Sequence, residues 1–153
     1  MAENFIRMEL REIQTPENPF ESRVVVLSEN DGAREFPIFI GSFEARALEE
    51  AVLAEQQFSD SFKRPMTHDL ALNVLDGLGG TLERVLVTRL EKSTFIGALE
   101  VKNAAGEVLR IDSRPSDALV LAMKRRVPIF VEEQVLRAVQ RGDEGETDSD
   151  SEL

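Results

Sequence analysis

Residues 5–13, FIRMELREI, alternate apolar and polar positions, with Ile6, Met8 and Leu10 on one side and Arg7, Glu9 and Arg11 on the other. A period of two predicts a half-buried strand. Thr15-Pro16-Glu17-Asn18-Pro19 reads as a loop, and SRVVVLSE (22–29) is a β-branched run that predicts a more deeply buried strand. Asn30-Asp31-Gly32 supplies positive-φ residues for a tight turn, from which REFPIFI (34–40) returns as a strand. Pro37 has no N–H to give to a ladder, which puts this strand at an edge or a bulge. Gly41-Ser42 ends it and caps a helix over 43–57, in which Ala47, Leu48, Ala51 and Val52 follow helical spacing.

Residues 58–66 read as a loop. Thr67 is a good N-cap for the next helix, and Asp69 in its first turn suits the positive end of the dipole. That helix runs to about 78 and stops at Gly79-Gly80. Strands follow over 82–90 and 93–102, the second with Phe95, Gly97, Leu99 and Val101 on one face. A turn at 103–106 leads to a strand over 107–112. Ser113 or Ser116 caps a helix ending in Lys124-Arg125-Arg126; a short strand (127–131) and a last helix (132–140) complete the pattern.

Residues 30–45 and 103–118 echo each other at an offset of 73: Asn30 with Asn103, Phe36 with Leu109, Ile38 with Ile111, Glu44 with Asp117, Ala45 with Ala118. Both copies read as turn, strand, short break, helix with an acid in its first turn. The expected fold is therefore α+β: a single domain over 1–141, with a mixed β-sheet built from two hairpin-plus-helix units and the helices packed on it.

Composition narrows the chemistry. The chain of 153 residues is 42% hydrophobic, enough to bury a core. It has no Cys, which excludes a disulfide framework, a Cys-based zinc site and a thiol nucleophile. No apolar run approaches the roughly 18 residues that span a bilayer. The start, MAENFIRMEL, lacks the basic and apolar regions of a signal peptide, so the expected setting is cytoplasmic, with no membrane partner. The net charge is −11, of which residues 142–153, GDEGETDSDSEL, carry six acids and no base, leaving −11 + 6 = −5 for the rest. That composition predicts a disordered acidic tail over 142–153. A domain at −5 has no overall field that draws nucleic acid, so phosphate chemistry requires local Arg/Lys or a bridging metal.

Two segments offer such chemistry. Arg64-Pro65-Met66-Thr67-His68-Asp69 and Arg114-Pro115-Ser116-Asp117, the latter preceded by Asp112, each put Arg-Pro, a hydroxyl and an Asp at a helix start. Free N–H groups and positive dipole at a helix N-terminus suit phosphate, and Arg adds a bidentate fork. Carboxylates with the single His, His68, form a donor set for a hard divalent cation, Mg²⁺ or Mn²⁺. Each segment also has a plain structural reading: the hydroxyls cap, the acids favour the dipole, and Arg114 pairs with Asp112 or Asp117. GxSxG, P-loop and GxGxxG patterns are absent.

FPIFIGSFEA, RPMTHDLALNVLDGLGGTLERVLV, TFIGALEV and IDSRPSDALVLAMKRRVPIFVEEQVL together resemble the bifunctional nuclease family over about residues 5–137. RPMTHDL and IDSRPSDA stand in that family's order and spacing. The resemblance implies an α+β fold, assembly into homodimers or larger homo-oligomers, and hydrolysis of phosphodiester bonds in RNA or DNA, as described for plant members. It marks His68, Asp69, Asp112 and Asp117 as catalytic candidates and Arg64, Thr67, Arg114 and Ser116 as phosphate-binding ones. Asp112, Asp117 and Glu44 are the metal candidates, with Asp69 beside them. His68 is then the acid/base, since an imidazole titrates near neutral pH. The competing reading is a non-catalytic oligomeric module that binds a protein partner or a small anion, its Arg-Pro-Asp segments forming an internal polar network.

Overall fold

In the computed structural model the described residues are 3–18, 21–53 and 64–142. Strands β1 (Phe5–Gln14), β2 (Arg23–Ser28) and β3 (Glu35–Ile40) precede helices α1 (Ser42–Leu53) and α2 (Thr67–Gly77). Strands β4 (Thr81–Glu91), β5 (Thr94–Lys102) and β6 (Val108–Ser113) precede α3 (Pro115–Arg125), followed by β7 (Ile129–Glu132) and α4 (Glu133–Gln140). The end of the first expected helix, most of the loop after it, and 143–153 of the expected acidic tail lie outside the described residues.

The seven strands form one mixed sheet in the order β3-β2-β1-β7-β4-β5-β6. Every pair is antiparallel except β4 with β7. The expected α+β fold with two related units is the one observed. Each unit is a three-strand meander, β1-β2-β3 or β4-β5-β6, followed by a helix, and each meander ends on an outer edge of the sheet. The late strand β7 closes the gap between them, so the seam depends on the C-terminal segment VPIFVEE.

Helices α1 and α3, the matched helices of the two units, pack on each other, and α3 also meets α2, β3, β4 and β5. That position explains its sequence: Ala118, Leu119, Val120, Leu121 and Ala122 are all buried, so α3 is apolar nearly all round. Phe36 of β3 and Phe95 of β5 lie far apart in strand order, yet their ring centroids are 5.0 Å apart. The sheet is therefore coiled enough to bring its two halves around a shared core, the usual outcome of strand twist. Val135, Leu136 and Val139 bury the inner face of α4 in the same core.

The turns show where the sequence reading was too generous. Of Asn30-Asp31-Gly32 only Gly32 takes a positive φ. Pro37 does lie on an edge strand, as its missing N–H required. Ser42 is inside α1, whose first bond runs from Ala45 N–H to Gly41 O at 2.9 Å. Neither Thr67 nor Ser113 nor Ser116 is a cap. Met66 occupies the N-cap of α2, where its N–H donates to the Asp69 carboxylate at 3.0 Å. Arg114 is the N-cap of α3, held extended at φ −70 and ψ 144 by Pro115, whose fixed φ suits the first helical position.

Gly97 sets where that turn can lie. It faces Ser113 across the β5–β6 ladder. A Cβ there would sit 2.8 Å from Ser113 O, 3.0 Å from Pro115 N and 3.1 Å from Pro115 Cα, all backbone atoms. Gly97→Ala is expected to lower stability by about 1–3 kcal/mol through overpacking, read as a lower urea midpoint; an unchanged midpoint would show that the turn is not pressed onto β5.

Candidate active site

The two Arg-Pro segments, separated by about fifty residues of sequence, meet in space. Helix α2 begins just before His68 and α3 just before Asp117. His68 Nε2 lies 2.9 Å from Asp117 Oδ1. Arg114 Nε donates to Asp117 Oδ2 at 2.8 Å, and its Nη2 donates to Glu44 Oε1 on α1 at 2.7 Å. Three helices thus contribute to one chain of contacts, His68–Asp117–Arg114–Glu44. His68 and Glu44 are each 18% exposed, while Arg114 is 64% exposed and forms the solvent-facing side.

Burial pushes the Asp117 carboxyl upward, but hydrogen bonds from Arg114 and His68 outweigh it and hold the group below the ordinary aspartate range. Glu44 is lowered chiefly by the bond from Arg114 and then by its own backbone N–H. Arg114 is driven well above the ordinary arginine value by its bonds to Asp117 and Glu44. An ionised Asp117 bears on the imidazole. An ionised carboxylate only accepts, so the nitrogen facing Asp117 carries the proton. Nδ1 of the neutral ring is then the nitrogen with a free lone pair, with Asp117 orienting the ring.

A second cluster supports the first. For Asp69, burial raises the carboxyl, and Lys124 with the Met66 N–H brings it below its ordinary value. Lys124 Nζ, in the last turn of α3, lies 2.8 Å from Asp69 Oδ1. Arg125 forks onto both oxygens of Asp76 at 2.9 and 2.7 Å. The basic run thus ties α3 to α2 rather than only complementing a helix dipole.

The sequence comparisons give this arrangement its relatives. The bifunctional nuclease domain matches residues 25–143. The chain belongs to the bifunctional nuclease domain family. An uncharacterized protein of Mycobacterium tuberculosis is similar, in strain CDC 1551 / Oshkosh and in strain H37Rv; each is 37% identical over 120 residues, covering 78% of this chain and 68% of the relative.

Within this bifunctional nuclease domain the residues marked from sequence divide into three groups. His68, Asp117, Arg114 and Glu44 come together. Asp69, Thr67 and Ser116 sit in the first turns of the same two helices, and Arg64 precedes α2 on the exposed side. Asp112 does not join them. It alternates with Ile111, which faces α2 residues such as Val74 and Leu78, and shares its side of β6 with Arg110, which reaches Glu3 and Glu100. Asp112 therefore points away from the helices that carry His68 and Asp117.

The set Asp112, Asp117 and Glu44 accordingly does not fit a shared cation: one member faces the other way, and Arg114 lies on the remaining two. Among the described residues no group of three or more His, Cys, Asp or Glu side chains is placed to hold a metal. Two contributions were not foreseen: Lys124 as the partner of Asp69, and Gly97 under the Arg114-Pro115 turn. The echo at offset 73 did carry a signal for Glu44, since it pairs Glu44 with Asp117, and both meet Arg114.

Because the folded Asp117 carboxyl is depressed, its contribution to stability is present above the unfolded value, about 4, and is lost as pH falls through the lower folded value. Asp117→Asn is expected to cost about 1–2 kcal/mol at neutral pH, a modest figure because water screens exposed Arg114. The difference from wild type in urea unfolding should shrink on acidification below about pH 4; a difference constant down to strong acid would contradict the ion-pair assignment.

Proposed function

We propose that this chain hydrolyses phosphodiester bonds in RNA or DNA, in the cytoplasm, as a homo-oligomer. The observation that carries the proposal is the His68–Asp117 contact at 2.9 Å, which makes an oriented acid/base from the two family motifs at once. His68 Nδ1 takes the proton of the attacking water as the water oxygen bonds to phosphorus and the P–O bond to the leaving ester oxygen breaks; that oxygen takes its proton from solvent water. The exposed edge of Arg114 and the N-terminal ends of α2 and α3 hold the phosphate oxygens. Thr67 and Ser116 lie in those first turns as further phosphate ligands, with Arg64 on the approach to α2. Asp69 positions α2 through Lys124. Local charge of this kind serves a chain whose overall charge of −11 repels the substrate. No step is assigned to Asp112 or to a divalent metal, given the placement of the carboxylates.

One observation favours the non-catalytic module. Asp117 and Glu44 each have Arg114 as partner, and Asp69 has Lys124, so the network is internally satisfied. An anion-binding or partner-binding domain needs nothing more.

Turnover on single-stranded RNA and DNA separates the two. His68→Ala, purified identically to wild type to control for contaminating nucleases, is expected to lose about 100-fold or more in kcat. Equal turnover in both proteins would assign the activity to a contaminant and leave the binding module. Excess EDTA is expected to leave wild-type turnover unchanged; its loss would require a metal brought to the site by other donors or with the substrate.

A further inference from the structure

The two edges of the sheet differ. The β3 edge carries Pro37, which interrupts its row of donors. The β6 edge, VLRIDS, has no Pro and no bulge, and exposes Val108 (59%), Leu109 (44%) and Ile111 (43%). Beside it α2 and its C-cap residue present Leu70 (55%), Val74 (53%) and Leu78 (75%) at four-residue spacing. A cavity of about 230 Å³ lies between them, walled by Val74, Leu75, Leu78, Leu99 and Ile111 among other apolar side chains. An open edge strand flanked by an apolar stripe is the kind of surface that soluble proteins cover.

The strand itself specifies the cover. If two β6 strands pair antiparallel about Ile111, Arg110 falls opposite Asp112 of the second copy, and Asp112 opposite its Arg110. Leu109 falls opposite Ser113, and Ile111 opposite itself. Opposite charges directly across a ladder favour the pairing. Asp112 is suited to this, because its carboxylate makes no hydrogen bond or ion pair among the described residues. Arg110 already holds Glu3 and Glu100 on that face, and its fork retains capacity for a further acceptor. Leu109 and Ile111 face the opposite side, next to the α2 stripe, so both sides of the strand are matched at once.

We propose that a second copy of this chain docks on β6 and α2, joining two sheets into one about a two-fold axis through Ile111, with reciprocal Arg110–Asp112 pairs. This rests on the self-association proposed above and gives it a surface; it is independent of the catalytic reading. The two-fold relation makes the interface isologous and closed at two copies.

Sedimentation of the full chain tests it. Wild type is expected to sediment as two copies of the 17.1 kDa chain. Arg110→Glu sets acid against Asp112, and Asp112→Arg sets base against Arg110, so each is expected to weaken self-association about tenfold or more. An equimolar mixture of the two variants restores both opposite-charge pairs and is expected to recover the dimer. Ile111→Glu, at an exposed position, is expected to give monomer without touching the Arg110 bonds. A wild type monomeric at every concentration would overturn both self-association and this interface. A dimer insensitive to all three variants, or a mixture that stays monomeric, would overturn this interface alone.

Discussion

Asp117 is shared by unlike donors, with His68 Nε2 and Arg114 Nη2 both on Oδ1 and Arg114 Nε on Oδ2, and the rest of the site follows from that sharing. Arg114 keeps the carboxylate charged despite partial burial, and the charged carboxylate fixes which imidazole nitrogen bears a proton. The same guanidinium reaches Glu44, so the cation is neutralised locally and held on the open side. Without Arg114, only the His68 contact would oppose the burial that presses Asp117 toward its neutral form.

The scaffold makes this sharing possible. Matched helices α1 and α3 of the two units pack against each other, which brings their first-turn acids, Glu44 and Asp117, within reach of a single arginine. A buried α3 gives the cluster a rigid floor, since Ala118 through Ala122 leave no slack between the sheet and its neighbours. Gly97 lets the Arg114-Pro115 turn settle on β5, and the Lys124–Asp69 and Arg125–Asp76 pairs hold α2 beside α3. Orientation of His68 is thus maintained from several directions, none of which is the imidazole's own doing.

Much of the fold was legible because strand alternation, turn residues and the 73-residue echo are local signals. The caps were not. Thr67 and Ser116 are good cap residues by type, but Asp69 and Pro115 fixed the helix starts one or two positions earlier. The meeting of His68 with Asp117 spans 49 residues, and no periodicity encodes such a contact. Asp112 teaches the opposite lesson. Nearness along the chain grouped it with Asp117, although alternation along β6 already assigned it to the face of Arg110. Strand order could not be read from sequence, so the exposure of Val108, Leu109 and Ile111 emerged only once β6 proved to be an outer strand.

His68 is the sole histidine, so its ring nitrogens give unambiguous ¹⁵N signals in nuclear magnetic resonance. If ionised Asp117 holds the ring, the neutral imidazole carries its proton on Nε2, and Asp117→Asn returns the ring to an averaged mixture of tautomers. A ring already protonated on Nδ1, or one whose signals are unmoved by Asp117→Asn, would contradict the contact on which the site is built.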